Sequence, residues 1–429
     1  MNREAVSSEP EHAVSGRQWV VVFLLFLSAV INYIDRGSIS IAAPLLSQEL
    51  GLTPVQLGFL LSAFFWTYAL CHILAGWLTD RFNVLWVFGA GFALWSLATF
   101  GCGLAGGLAS LAFFRMLLGA GESVTFPAYS KIIANTFPIA ARGLPNSVLD
   151  AGTKIGPALG VLIGGLLIAS YGWRVLFFVL GVGSLLWIIP WGIWGPRPKD
   201  MAAPSSIAAT ASNDGPSYLE ILSCRDAWGT FIGAGCYTYA YFFLLTWLPT
   251  YLVKERHLSL EMMGVLGSVP YWAAGVAAVT AGWASDRWIR RGGSPTVVRK
   301  TVVVFGLLLS IAALPSAVVA DLSVSIWLLS VAYVAFGIFA SNLWAISQTL
   351  AGPLATGKWA GLQNCLGAVT GIIAPLLTGY IVQSTGSFYL AFLFTACLAV
   401  IGALSYLFVV GRVAPIDWAA RRVVRAQLA

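Results

Sequence analysis

The heptapeptide AGWLTDR at residues 75–81 recurs as AGWASDR at residues 281–287. Five of the seven positions match at a constant offset of 206 residues. Each copy follows a long apolar run, so the match indicates a duplicated unit rather than a chance motif. An internal repeat of this kind predicts a chain built from two halves of similar topology.

The composition around these repeats is typical of a membrane protein. Of the 429 residues, 59% are hydrophobic and only 10% are charged, against about 25% charged residues in a soluble domain. So few charges cannot cover a water-exposed surface, and lipid must cover the remainder. Because one span needs about 20 apolar residues, the sequence predicts an all-α integral membrane protein of twelve transmembrane helices, at residues 19–46, 55–79, 84–105, 108–136, 142–171, 174–196, 227–253, 261–284, 299–318, 322–351, 358–384 and 387–411.

A polar stretch divides these spans into six plus six. It is rich in Pro, Ser and Asp, and we expect a cytoplasmic linker with a short interfacial helix around Tyr218–Leu222. The predicted layout is an N-terminal cytoplasmic tail at 1–18, a six-helix bundle at 19–196, the linker at 197–226, a second six-helix bundle at 227–411 and a basic cytoplasmic tail at 412–429.

The basic residues predict the orientation in the membrane. With the N-terminus inside, most of the Lys and Arg residues outside the spans fall on the cytoplasmic side, including Arg197, Lys199, Arg422 and Arg425. Only Arg174, Lys254 and Arg256 fall on the opposite side. Because cytoplasmic loops carry the excess of basic residues, both termini are expected in the cytoplasm.

Several function classes are excluded by residue spacing. The six Cys residues form no CxxC pair, and His12, His72 and His257 are widely separated in the predicted topology. We therefore expect no metal, no cofactor, no disulfide framework and no catalytic residues, which argues against a membrane enzyme. The net charge of +7 is spread over short loops, so the expected surroundings are a lipid bilayer and not nucleic acid. The protein is expected to be a monomer.

The Gly-x-x-x-Asp-Arg loop after the second span, its copy after the eighth span and the six-plus-six plan together resemble the major facilitator superfamily. This resemblance covers nearly the whole chain and implies the major facilitator fold. It also implies that the loop residues act in conformational gating, namely Gly76, Asp80, Arg81, Gly282, Asp286 and Arg287. The chain departs from the pattern at Phe82-Asn83, where the family usually has a second basic residue. The second-half loop, with Arg290 and Arg291, would then carry more of the charge network.

A narrower resemblance is to the anion:cation symporters, which take up hexuronates, galactonate, glucarate and related acids. It is carried by NYIDR at 32–36, RMLLGAGE at 115–122, and the dipeptides Phe126-Pro127, Phe137-Pro138 and Arg142-Gly143. It implies a bacterial inner (plasma) membrane protein that moves a small organic anion with protons. Asp35 and Glu122 map onto the proton-coupling residues, and Arg36 maps onto the residue that contacts the substrate carboxylate. The family often has Asn-x-x-Gly-Asn in the eleventh span; here Asn364 is followed by Gly367-Ala368, so the second Asn is missing.

Six ionisable residues lie inside predicted spans: Asp35, Arg36, Arg115, Glu122, Lys131 and Lys154. A charge at the bilayer centre costs ~3 kcal/mol on insertion scales, so such residues face partners or a water-filled cavity. We assign Asp35, Glu122 and Arg115 to proton coupling and Arg36 to the substrate. Four structural alternatives remain: an Asp35–Arg115 ion pair that holds two helices together, a neutral Glu122 buried in a packing helix, a Lys131 that reaches the headgroups, and a Lys154 paired with Asp150 one helical turn away.

Uncharged polar residues in the spans complete the predicted substrate site. Together with Lys154, the candidates are Tyr68, Asn342, Trp344, Gln348, Gln363 and Asn364. The alternative for each is a hydrogen bond that packs helices.

The sequence therefore predicts a proton-coupled symporter that imports a small organic anion by alternating access. The alternatives are an uncoupled facilitator or an anion exchanger of the same fold. Lys154 and the missing Asn together favour a compact or doubly charged acid, such as a dicarboxylate or a sulfonated carboxylate, over a monoanionic sugar acid.

Overall fold

The computed structural model describes residues 16–137, 142–196, 215–352, 354–418 and 420–421, and these form helices joined by short loops. The first half contains α1 (Gly16–Glu49), α2 (Pro54–Arg81), α3 (Val84–Leu104), α4 (Leu108–Glu122), α5 (Thr125–Thr136) and α6 (Gly143–Trp194). The second half contains α7 (Tyr218–Leu222), α8 (Arg225–Lys254), α9 (Leu260–Arg290), α10 (Pro295–Leu309), α11 (Ala313–Ser316), α12 (Leu322–Ala351), α13 (Thr356–Thr385) and α14 (Tyr389–Leu404). A 3₁₀ turn, Ser310–Ala312, joins α10 to α11, and a π-helical turn, Ser405–Val409, follows α14.

Local sequence explains where several helices begin. Thr53 caps α2, since its hydroxyl accepts from the Gln56 amide at 3.2 Å while the Gln56 side chain accepts from the Thr53 amide at 2.9 Å. Pro54 follows at the first helical position, where its missing N–H costs no hydrogen bond. Asn83 caps α3 by accepting from the Leu85 amide at 3.0 Å. These caps keep the loops short at both ends of the second span.

The structure has ten helices long and apolar enough to cross a membrane among its described residues. The predicted count of twelve needs two further crossings. One lies within the 52-residue α6, which is interrupted at Gly172 by a φ of 79° that glycine tolerates. The other is the pair α4 and α5, which together cover the fourth predicted span. The count of twelve is accommodated by this geometry and stays a prediction.

The fourth span differs from its predicted single helix. Residues 108–136 are divided by a turn at Ser123-Val124, between α4 and α5. Pro127 explains the break, because it has no amide hydrogen for the carbonyl of Ser123 and its ring crowds that carbonyl. The short helix expected around Tyr218–Leu222 is confirmed as α7. Residues 1–15 of the predicted tail (1–18), residues 197–214 of the predicted linker and residues 422–429 of the predicted C-terminal tail lie outside the described residues. Arg197, Lys199, Arg422, Arg425 and Pro138 therefore lie outside them too.

Within the described residues, the two halves meet mainly through three helix pairs: α1 with α8, α2 with α13, and α6 with α9. Glycines set the distance at which two of these pairs pack. A Cβ added to Gly58 of α2 would lie 2.5 Å from the Pro375 carbonyl oxygen of α13. A Cβ added to Gly264 of α9 would lie 2.9 Å from the Cα atom of Gly165 of α6. Only residues without side chains permit this approach, so the helices close against each other there.

Two polar contacts reinforce the same end of the bundle. Lys254 Nζ donates to Ser47 Oγ at 2.6 Å, and the Val55 amide donates to Gln383 Oε1 at 3.2 Å. We call this the closed end, defined by residues 47–58, 161–165, 254–264 and 375–383. The opposite end carries both copies of the heptapeptide and the start of α6. Side chains there reach solvent, including Asp80 (84% exposed) and Asp150 (68% exposed), and we call it the open end.

Candidate functional site

A buried ion pair joins α1 to α4 near the middle of the first half. Arg36 Nε and Nη2 donate to Glu122 Oε2 at 3.1 and 2.9 Å, and Nη2 also donates to Asn32 Oδ1 at 3.3 Å. The two side chains are only 7% and 0% exposed. Removing either partner would leave an unpaired charge out of water, which is far more costly than the same change at a surface. The pair therefore constrains when each group can be charged.

Aromatic rings surround the Arg36 guanidinium. Its central carbon lies 4.7 Å from the ring centre of Tyr33, 4.9 Å from that of Phe64 and 5.0 Å from that of Tyr68. Phe64 and Tyr68 stack on each other one turn apart on α2. Ring faces attract a cation within about 6 Å of the ring centre. The rings, together with Glu122 and Asn32, therefore hold the Arg36 guanidinium in one orientation.

Arg115 does not form the ion pair with Asp35 that the sequence left open. It donates from Nη1 to the main-chain oxygen of Asp35 at 3.3 Å and from Nη2 to that of Arg36 at 3.0 Å. Arg115 is 1% exposed, so these carbonyls replace the water that the guanidinium lost. These contacts hold the backbone of α1 at Asp35 and Arg36. Arg115 therefore positions both side chains through their main-chain oxygens.

Asp35 points away from Arg36, as expected of neighbours about 100° apart on a helix. Its Oδ2 accepts from Ser184 Oγ of α6 at 2.9 Å. Within the described residues, Asp35 Oδ1 and Glu122 Oε1 are buried without a hydrogen-bond partner. A fully satisfied pair of carboxylates would have no unused acceptors, so each of these groups has an oxygen on which a proton can reside.

Glycines in α4, the helix that carries Glu122, allow it to pack closely against α2 and α3. A Cβ on Gly121 would lie 2.8 Å from the Trp95 amide nitrogen of α3, and one on Gly119 would overlap the Phe64 carbonyl oxygen of α2. The close approach excludes water around the Arg36–Glu122 pair. Helix packing next to the charged site therefore explains the glycines at positions 119 and 121.

A cavity of about 180 Å³ lies between the two halves. The first half contributes Tyr33 and Lys154 to its wall, and the second half contributes mainly aromatic side chains, Tyr237, Tyr241, Phe242, Tyr271, Tyr333 and Phe336. Tyr33 connects the regions, because its ring also packs on the Arg36 guanidinium. The cavity thus adjoins the buried ion pair.

Lys154 forms the ion pair with Asp150 that the sequence allowed. Its Nζ donates to Asp150 Oδ1 at 3.3 Å and to Thr153 Oγ1 at 3.2 Å. The side chains of Lys154 and Asp150 are 33% and 68% exposed, so this pair remains hydrated. Lys154 is nevertheless a lining residue of the cavity, and pairing and cavity exposure coexist.

The second-half candidates divide into two groups. Asn342 and Gln363 are buried and join helices: Asn342 Nδ2 donates to Ser285 Oγ at 3.1 Å, and Ser347 Oγ donates to Gln363 Oε1 at 2.7 Å. This contact pattern favours packing for both residues. Trp344, Gln348 and Asn364 are exposed.

The exposed group lies toward the open end. Trp344 and Gln348 continue the stripe of α12 that lines the cavity at Gly337 and Ala340, because residues three to four apart share a helix face. Asn364 lies two turns before Gly371, which packs on Phe65 of the first half. These three residues are therefore placed on faces directed to the space between the halves.

Comparison with known proteins identifies the architecture. A family model of the Major Facilitator Superfamily matches residues 25–298 and 230–425. The chain belongs to the major facilitator superfamily. A probable galactarate/D-glucarate transporter of Bacillus subtilis is 30% identical over 96% of each chain, and a hexuronate transporter of the same organism is 32% identical over 90% of this chain and 93% of that one. The resemblance to the anion transporters of the superfamily is thereby confirmed.

The fold agrees with a solved superfamily structure. A bacterial homologue of the human lysosomal transporter Spinster, in an inward-facing and unoccupied conformation, aligns with a TM-score of 0.80 at 19% identity, over 93% of this chain and 98% of that one. This major facilitator protein is a multi-pass membrane transporter and not an enzyme. In the part of the chain that the structure describes, no cluster of His, Cys, Asp or Glu side chains could hold a metal ion.

The superfamily loop after α2 is anchored by Lys131. Its Nζ lies 3.7 Å from Asp80 Oδ1, and it donates to the main-chain oxygens of Thr79 and, at 3.3 Å, Asp80. Lys131 thus joins α5 to the end of α2. This is a structural role, distinct from contact with lipid headgroups or with substrate. Around the second copy, Arg287 lies over the Trp283 ring at 5.6 Å. Gly76, Arg81, Gly282 and Asp286 lie at the open end with these residues.

Several residues of the site are not among those predicted from the sequence. Asn32 and Ser184 hydrogen-bond to the two key charges, and Tyr271 and Tyr333 line the cavity. Asn32 could have been found, since it precedes Arg36 by one helical turn within the quoted motif. Ser184 and the two tyrosines have no such signal, because many membrane helices contain such residues and only tertiary packing selects these.

Proposed function

We propose that the protein is a proton-coupled symporter that imports a small organic anion by alternating access. The observation that carries the proposal is the Arg36–Glu122 pair, buried beside a cavity between the two halves. The relatives named for galactarate/D-glucarate and hexuronate support an organic acid as the substrate.

Competition for one guanidinium would couple the two solutes. When Glu122 is ionised, it occupies Arg36. When Glu122 takes up a proton, its attraction for Arg36 weakens, and the donor fork is free to bind a carboxylate bidentately. An anion arriving at Arg36 without a proton would leave the ionised Glu122 buried and unpaired, which costs several kcal/mol. The site therefore favours binding of the anion and the proton together.

Asp35 offers a second place for a proton. It is fully buried, bound by one hydroxyl, and its other oxygen lacks a partner among the described residues. Arg115 holds the Asp35 and Arg36 carbonyls, so a change at Asp35 can be transmitted to the helix that carries Arg36. We assign proton coupling to Asp35, Glu122 and Arg115, with Arg115 as a positioning residue.

The closed and open ends support alternating access. Because cytoplasmic loops carry the excess of basic residues, the open end would face the cytoplasm. The protein would then lie in a bacterial inner membrane with both termini inside. Import then requires the glycine contacts of the closed end to separate while the open end closes around Gly76, Asp80, Arg81, Gly282, Asp286 and Arg287. The bundles 19–196 and 227–411 would move as the two units of a monomer.

The substrate would contact both bundles. Arg36 would bind one carboxylate, with Tyr68 beside it, and Lys154 lines the cavity that adjoins them. On the way from the open end, Trp344, Gln348 and Asn364 would contact the anion as it enters or leaves. Asn342 and Gln363 would act indirectly, because their hydrogen bonds hold together the helices that carry these residues.

Uptake into proteoliposomes tests the proposal against the uncoupled alternatives. Purified protein is reconstituted, and entry of radiolabelled D-glucarate and D-glucuronate is followed with and without an inward proton gradient. The proposal expects accumulation above equilibrium only with the gradient. Entry that merely equilibrates under both conditions would indicate a facilitator. Entry that needs an internal anion and ignores the gradient would indicate an exchanger.

A further inference from the structure

The cavity contains a cation that the coupling scheme does not use. Lys154 lines the wall, and the Cα side of α9 approaches it, since a Cβ on Gly275 would lie 3.7 Å from Lys154 Cβ. Asp150 and Thr153 on its own helix accept from the ammonium, and Tyr33 of α1 and Tyr237 of α8 line the same cavity. Lys154 is therefore directed at the second half, across the space that a substrate would fill.

Two buried tyrosines of the second half line the cavity. Tyr271 and Tyr333 are 4% and 1% exposed, and within the described residues neither hydroxyl has a hydrogen-bond partner beyond its interaction with the other, so at least one of the two O–H donors has no acceptor. A buried hydroxyl without a partner is destabilising. Phenolic O–H groups donate readily to an oxyanion, so an anionic group near Lys154 would satisfy what the protein leaves unsatisfied.

The cavity is small and its remaining wall is apolar. Its volume of about 180 Å³ lies below the roughly 300–1,000 Å³ of drug-sized sites. Phe242 and Phe336 contribute apolar surface to the wall, and Tyr33, whose ring packs on the Arg36 guanidinium, forms another part of it. A short carbon chain with a charged group at each end would fit here, with one group at Lys154 and the other directed past Tyr33 to Arg36.

We infer that the substrate is a compact dianion, with one anionic group at Arg36 and the other at Lys154 and the hydroxyls of Tyr271 and Tyr333. The inference rests on the proposed function and names the substrate class of the same site. The named relatives do not decide it, because glucarate carries two carboxylates and a hexuronate carries one.

The Lys154–Asp150 pair does not prevent this binding. An ion pair of residues four apart on a helix contributes little when solvent reaches it. Asp150 is 68% exposed, so once released it is hydrated and needs no proton. Glu122 is fully buried and must be protonated when it is released. The second anionic group would therefore bind without a second coupled proton.

Binding of matched ligands tests the inference. Affinities for succinate and its monoamide succinamate, and for D-glucarate and D-gluconate, are measured on the full-length protein and on Lys154→Met and Lys154→Arg. The parent should bind each dianion about tenfold or more tightly than its monoanionic match. Lys154→Met should lose most of that preference, and Lys154→Arg should keep most of it. An equal preference in the parent and Lys154→Met would overturn the inference.

Tyr333→Phe provides an independent variant if Lys154→Met does not fold. It removes one hydroxyl at nearly constant volume and should weaken dianion binding several-fold while leaving monoamide binding unchanged. Equal effects on both ligands would contradict the inference. Proton-driven uptake is measured on the same samples: a parent that accumulates monoanions with a pH gradient but does not prefer dianions rejects the substrate class and leaves the proposed function standing.

Discussion

Two ion pairs of the first half, one beside the cavity and one in its wall, differ mainly in their contact with water. Arg36–Glu122 joins two helices, and both side chains are nearly or fully buried. Lys154–Asp150 lies within one helix, and its carboxylate is mostly exposed. Each pair contains a cation that we propose binds the substrate anion. Only the first makes the release of its carboxylate dependent on a proton, because only there is hydration excluded.

This difference separates coupling from selectivity. A cation paired with a buried carboxylate can leave it and bind the substrate only when that carboxylate takes up a proton. A cation paired with a hydrated carboxylate can do so without a proton, and it then contributes only to the choice of substrate. Changes at the buried pair should therefore alter pH dependence, and changes at the exposed pair should alter the ratio between dianion and monoanion.

Arg36→Ala should have the largest effect. It leaves Glu122 buried without its cation, which is expected to lower the free energy of unfolding by about 3–5 kcal/mol unless Glu122 becomes protonated. Anion binding should be lost as well. The matched control is Lys154→Ala in the hydrated pair, with a stability change of about 0.5 kcal/mol or less. Thermal unfolding in detergent gives the first quantity and titration with the anion gives the second; Arg36→Ala that binds as tightly as the parent would move the substrate site elsewhere.

Arg36→Lys should have an intermediate effect. The charge is kept but the planar donor fork is lost, so bidentate binding of a carboxylate is no longer possible. We expect affinity for the anion to fall by about 1–3 kcal/mol, the scale of a hydrogen bond to a charged group. Lys154→Arg serves as the comparison, since a point charge suffices there and the affinity should change little. Similar losses in both variants would remove the distinction between the two cations.

Asp150→Asn should have the smallest effect. The hydrated pair contributes about 0.3–0.5 kcal/mol in a helix, so stability should fall by no more than that amount. Release of Lys154 should make dianion binding equal to or slightly tighter than in the parent. The pH dependence of uptake should not change. A large loss of stability or a shifted pH profile would show that Asp150 belongs to the coupling machinery.

Much of the architecture follows from the sequence. The repeat at 75–81 and 281–287, the supply of charge and the apolar runs predict a duplicated helical membrane protein, and the family match confirms it. The four charges Asp35, Arg36, Arg115 and Glu122 could be singled out because charge is costly in a membrane. They do converge in one region of the first half.

The pairing among those charges could not be predicted. A helix rotates about 100° per residue, so whether residue 35 or residue 36 faces Glu122 depends on how α1 is rotated against α4. The structure turns Arg36 to Glu122 and Asp35 to Ser184, and it uses Arg115 for backbone carbonyls. The rotation of α1 is fixed by its packing against α6, where Gly156 lies close to Val30 and Tyr33, and this is a tertiary property. The same holds for the tyrosines, which come from three helices of the second half.

Glu122→Gln separates proton coupling from anion binding. Gln keeps the shape and can still accept from Arg36, but it cannot release or take up a proton. In proteoliposomes with an inward gradient of one pH unit, the parent should accumulate anion up to about tenfold for each coupled proton. The variant should show no accumulation yet retain exchange of labelled for unlabelled anion, which serves as its folding control. Accumulation equal to that of the parent would contradict the account.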